Sequence, residues 1–117
     1  MATNSQIAFN PQGNTVVVAA AGTAPTGVQA PVYEKFNAQA TGQYRFVNAG
    51  TNTVFLGTGP SAAEAQAAAV APVAGTPSNA IVLVPGAVEI IRFNKDTFFS
   101  GLASGATTVY VTPGEGL

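Results

Sequence analysis

An all-β antiparallel sandwich, jelly-roll-like, is the fold that this chain predicts, and three observations carry the expectation. Short β-branched and aromatic runs recur along its length. Clusters of Pro, Gly and Asn separate those runs at short intervals. A single segment, residues 61–71, reads as anything other than strand or turn. Many short strands of this kind must pack as two sheets to bury their apolar faces, so about eight strands are expected. An immunoglobulin-like strand order is the alternative.

In chain order, residues 1–14 are rich in Asn, Gln, Pro and Gly and carry only Ile7 and Phe9 as large apolar anchors. Too poor to build a core, they read as an N-terminal arm docking on a neighbour or as a first edge segment, with Ile7 and Phe9 as contact candidates. Residues 15–117 then form one domain. Within it, residues 15–20 read as a buried strand ended by Gly22, and residues 28–32 as an edge strand, because Pro25 and Pro31 flank them. Tyr33-Glu34-Lys35-Phe36 mixes aromatic and charged groups, so Tyr33 and Phe36 either cap the core or form an interface patch.

Residues 43–57 read as a hairpin. Tyr44 and Phe46 alternate with Arg45 and Val47, and the turn from Asn48 to Asn52 holds the Asn and Gly that positive φ requires. Gly57-Thr58-Gly59-Pro60-Ser61 reads as a turn, since it lacks the lysine and the spacing of a phosphate-binding loop. Ser61 and Glu64 have capping-box spacing ahead of a run of alanines, with Pro72 as a stop. Either a short docked helix or an extended insertion follows, and Val70 is its main apolar group.

The clearest stretch is residues 80–117. Ile81, Val82, Leu83 and Val84 form a strand that stops at Pro85-Gly86, a type II turn signal, and residues 88–93 read as the returning arm of a hairpin. Asn94-Lys95-Asp96 turns the chain into a third strand, residues 97–103. Ser104-Gly105-Ala106 turns it into a fourth, residues 107–112. There Val109 and Val111 alternate with Thr108, Tyr110 and Thr112, which gives one buried and one wetter face and makes Tyr110 a further contact candidate.

Composition narrows the function classes. The 117 residues suit one domain; they include no Cys, no His and no Trp, and 8% are charged, against about 25% in ordinary globular chains. Without Cys or His the usual catalytic triads and zinc sites cannot be assembled, and the five acidic residues show no ligand or acid–base spacing. No enzyme, metal or cofactor is expected. With a net charge of −1 and four scattered cations there is no basic footprint for nucleic acid. No apolar run is long enough for a membrane helix, and the first residues lack the pattern of a secretory signal. A surface this poor in charge repels its neighbours weakly, which suits a protein held on a partner.

The ending VYVTPGEGL, after LVPGAVEIIRF and with a weaker match over QYRFVNAGTNTVFLGTG, resembles small tailed-phage virion proteins, among them head decoration or cement proteins. That resemblance implies a structural protein made in the host cytoplasm and carried on the outer surface of the capsid. There it would bind the major capsid protein and itself, as a dimer or trimer, and stabilise contacts between capsid subunits. The alternative is a receptor- or sugar-binding module of a virion fibre or tail, with Tyr33, Tyr44 and Tyr110 as stacking rings; the lack of Trp weighs against it.

Overall fold

A computed structural model describes residues 9–32 and 41–115 of the chain. Its strands are β1 (Asn10–Pro11), β2 (Val16–Ala20), β3 (Val28–Gln29), β4 (Thr41–Asn48), β5 (Val54–Gly59), β6 (Ile81–Leu83), β7 (Val88–Asn94), β8 (Phe98–Ala103) and β9 (Thr107–Glu115), with one helix, α1 (Ala62–Ala68), after β5. Every strand pairing is antiparallel. The first sheet runs β2-β9-β4-β7, with the short β1 beside β2 on the same edge of β9, and the second runs β3-β8-β5-β6. Leaving β1 aside, this is the strand order of an eight-stranded jelly roll, so the expected fold is the observed one.

Strand order overturns the two expected hairpins. β6 and β7 lie in opposite sheets, as do β4 and β5. The turn chemistry at residues 84–87 was read correctly: Gly86 has φ +81, and the Ala87 N–H donates to the Val84 carbonyl at 2.9 Å. A type II turn, however, splays its flanking strands, whereas the primed turns match the twist of a hairpin. The Pro85-Gly86 corner therefore carries the chain from one sheet to the other. The Gly50 reading is also corrected, because among the described residues only Gly75 and Gly86 are glycines with positive φ. Gly50 is needed for space: a Cβ there would stand 2.5 Å from the Thr107 methyl.

Between the sheets, Val18, Tyr44, Phe46, Val109 and Val111 of the first meet Val54, Leu56, Leu83 and Phe99 of the second, all buried. Phe99 is the centre. Phe93, Phe46 and Tyr44 approach it edge-on at centroid distances of 5.1, 5.2 and 6.2 Å, the arrangement that aromatic quadrupoles favour. One end of the sandwich is closed by Asn48, which is fully buried. Its Nδ2 donates to the Asn52 and Leu83 carbonyls, both at 2.9 Å, and its Oδ1 accepts from Gly50 N–H at 3.0 Å. A single amide thus ties the corner after β4 to the end of β6 in the other sheet.

Three further expectations change. β2 is an edge strand buried on one face only, with Val18 and Ala20 inside and Val17 and Ala19 outside. Gly57 and Gly59 belong to β5 and not to a turn. The helix is real but stops at Ala68, short of Pro72, and its buried residues are Ala65 and the C-cap Ala69, while Val70 is exposed. The cap is as read: the Ser61 side chain accepts from Glu64 N–H at 3.2 Å. β3 lies at the edge of its sheet, as its prolines suggested, but it ends at Gln29 and not at residue 32, since Pro31 has no N–H to give a ladder.

Candidate functional site

A sandwich has two outer faces, and in this one they differ. Along β5, Val54 and Leu56 point into the core, so Phe55, Gly57 and Gly59 point outward. A Cβ at Gly57 would lie 2.7 Å from the Ala68 carbonyl carbon, and closer still to Ala65 O and Ala69 N. At Gly59 it would stand 2.9 Å from Ala65 N. The two glycines thus let α1 sit directly on the second sheet. Gln66 Nε2 donates to the Ala24 carbonyl at 2.8 Å, and Gly27 N–H donates to the Ala62 carbonyl at 3.2 Å, which pins the helix to the loop between β2 and β3. Ser100, opposite Gly57 in β8, is buried and donates to the Pro25 carbonyl at 2.6 Å.

Among the described residues no helix packs on the outer face of the first sheet, since α1 packs on β5 and β8. The registers place Val17 of β2 opposite Tyr110 of β9, Tyr110 opposite Val47 of β4, and Val47 opposite Val88 of β7. These residues form one row across four strands, spanning about 15 Å at the usual strand spacing. Val17, Tyr110 and Val88 are 47%, 42% and 49% exposed, and Val47 is half-buried. The next row toward the other end of β9 holds Thr112, Arg45 and Ile90, with Thr15 joined to Thr112 by a hydroxyl–hydroxyl hydrogen bond of 2.8 Å. Beyond it Phe9 lies across Gly114. The face is therefore an apolar stripe with one phenol near its middle, flanked by hydroxyls and a guanidinium. Such a surface can bury area against a complementary partner, with Arg45 and the hydrogen-bonded Thr15 and Thr112 hydroxyls as polar groups at its border.

Of the residues expected to form contacts, Tyr110 stands at the centre of the stripe and Phe9 lies at the same face's far end. Ile7, Tyr33 and Phe36 fall outside the described residues. Tyr44, one of the three rings of the sugar-binding alternative, is fully buried against Phe99 and cannot stack on a ligand. Arg45 lies on the less buried face, as its alternation with Tyr44 and Phe46 suggested. Sequence reading missed Val17, Val47 and Val88, although each sits at an outward parity of its strand. What joins them is register between strands distant in sequence, which alternation alone does not show.

A separate cleft of 360 Å³ opens between the end of β5 and the β7–β8 turn, lined by Thr58, Gly59, Pro60, Phe93, Asn94, Asp96 and Thr97. Among the described residues it offers a single carboxylate, on a turn where Asp96 N–H donates to Asn94 Oδ1 at 2.9 Å. That is too little to hold a metal or to pair an acid with a base. Among the described residues no group of three His, Cys, Asp or Glu side chains could hold a metal ion, and no helix is long and apolar enough to cross a membrane. Compared with protein families, curated proteins and solved structures, the chain matches none.

Proposed function

We infer that this chain is a structural virion protein, a decoration or cement protein that binds the outside of a tailed-phage head and stabilises contacts between major capsid subunits. The observation that carries this reading is the bare apolar row Val17, Tyr110, Val47 and Val88 on the first sheet. A diffusing monomer gains nothing by exposing such a stripe, whereas a protein seated on a fixed shell buries it. Two features support the reading: 8% charged residues, which keep electrostatic repulsion from a crowded lattice small, and the phage-like ending of the sequence. In this reading the protein acts by contact alone, with the major capsid protein and further copies of itself as partners. It needs no cofactor and binds neither nucleic acid nor membrane.

The test is to add the purified chain to heads assembled without it from the accompanying major capsid protein. Saturable binding and a higher temperature of head disruption are the expected results. A chain that stays in the supernatant while binding glycans or host envelope would transfer the reading to a receptor-binding module.

A further inference from the structure

A jelly roll leaves strand edges open, and each open edge is a row of backbone N–H and C=O groups that another extended chain can satisfy. In this molecule the edges are not treated alike. β7, at one side of the first sheet, carries two exposed charges, Glu89 on the same side of the strand as the core-facing Phe46 and Arg92 on the other. β3 is two residues long, between Pro25 and Pro31, and β6 is three residues long, with Pro85 soon after it. β1 contains Pro11. Each of these features is one by which natural sheets block strand addition. β2 has none of them. Val16–Ala20 is β-branched and alanine, and no charge or proline lies between Gln12 and Ala24. It pairs with β9 on one side; among the described residues its other side is unpaired over Val16–Ala20, and only just past the strand does Ala21 bridge Leu102 of β8, its carbonyl accepting from Ala103 N–H at 2.9 Å.

We propose that β2 is an association edge, at which two copies of this chain pair antiparallel about a two-fold axis to make one continuous sheet. A backbone edge specifies its occupant as an extended strand. The blocked edges specify which strand: head-to-tail growth needs a second open edge, and the other edges among the described residues are short or carry charge or proline, so the matching partner for β2 is β2 of another copy. Such an isologous contact closes as a dimer and does not grow into a fibre. Outward and inward positions of β2 keep their parity across the axis, so small aliphatic side chains meet on both faces and no like charges are opposed. Val17 then extends the apolar row of one copy toward that of the next. This inference enlarges on the self-association in the proposed function but rests on the edges alone: a dimer that ignores phage heads leaves it standing, and head binding by a monomer removes it.

The experiment is sedimentation of the full chain from about 1 to about 100 μM, beside a Val17→Lys/Ala19→Lys variant and a Val82→Lys control. Both lysines of the variant point outward from β2, so at any symmetric register they crowd their counterparts. Val82 is similarly exposed but lies on β6. The native chain and the control should sediment at twice 11.7 kDa, and the variant should dissociate with a Kd raised by at least about tenfold. Should the variant fail to fold, amide exchange of the native chain decides: residues 16–20 should lose protection on dilution while β4 does not. A native monomer across the range, a trimer, a dimer indifferent to the β2 lysines, or one broken by Val82→Lys overturns the proposal.

Discussion

On the second sheet the outward positions of β5 are Phe55, Gly57 and Gly59, and α1 rests on the two glycines with its alanines; on the first sheet the corresponding positions of β4 include Arg45 and Val47, and among the described residues no helix packs there. Both sheets contribute large side chains to a common core, so the inner faces are alike. The outer faces diverge because a helix can lie on strand backbone only where Cβ atoms are missing. Where Val, Tyr and Arg stand instead, no helix among the described residues packs on the sheet. Gly57 and Gly59 thus mark the part of the second sheet that α1 covers, while the row Leu102, Phe55 and Val82 on the same face stays partly exposed.

That contrast breaks most sharply at Gly57. Gly57→Val forces two γ-carbons into the helix backbone and should lower stability by about 3 kcal/mol or more, since overpacking of this kind cannot be relieved by a rotamer change. Ala19→Val, an equally apolar enlargement on the bare side, should stay within about 0.5 kcal/mol. Urea melts of the pair measure the difference. Equal effects would mean that α1 is not seated as described.

The next largest effect is expected at the corner that joins the sheets. Asn48→Ala leaves the Leu83 carbonyl and the Gly50 N–H without their buried partner and should cost about 2 to 3 kcal/mol. Thermal melts and amide exchange check it, with the 48–52 loop and the end of β6 losing protection together. A loss confined to the loop would show that the amide does not couple the sheets.

Smaller again is Val111→Ala. Val111 is fully buried, facing Phe46 across the ladder, and its truncation should cost on the order of 1 to 2.5 kcal/mol from lost methyl burial and a residual cavity. Its neighbour Tyr110, on the opposite face, should change stability less when cut to Ser. A reversed order in urea melts would mean that the faces of β9 are exchanged.

Much of this architecture was legible before any coordinates. The parity of Val109, Tyr110 and Val111, the alternation of Tyr44 and Phe46 with Arg45 and Val47, the Ser61 cap and the edge position of β3 all follow from local rules of alternation, capping and proline placement. Pairing did not follow. Pro85-Gly86 says that the chain turns, and its type II geometry even speaks against a hairpin, but nothing local says which sheet receives β7. The glycines of β5 were misread for a related reason: Gly57 looks like a turn residue until the alanines about ten positions on are seen to lie over it. Likewise the row from Val17 to Val88 joins residues that only the jelly-roll registers bring together, so the sequence pointed to Tyr110 alone.

The most direct test of the bare face as the capsid-binding surface is co-sedimentation of a Tyr110→Ser/Val88→Ser variant with heads that lack the protein. Val82→Ser, on the helix-bearing sheet, serves as the control. The variant should keep its urea midpoint within about 1 kcal/mol of native and lose head affinity by at least about tenfold, while the control binds as the native chain does. Native affinity in the double variant, or loss of binding in the control, would contradict the assignment of that face.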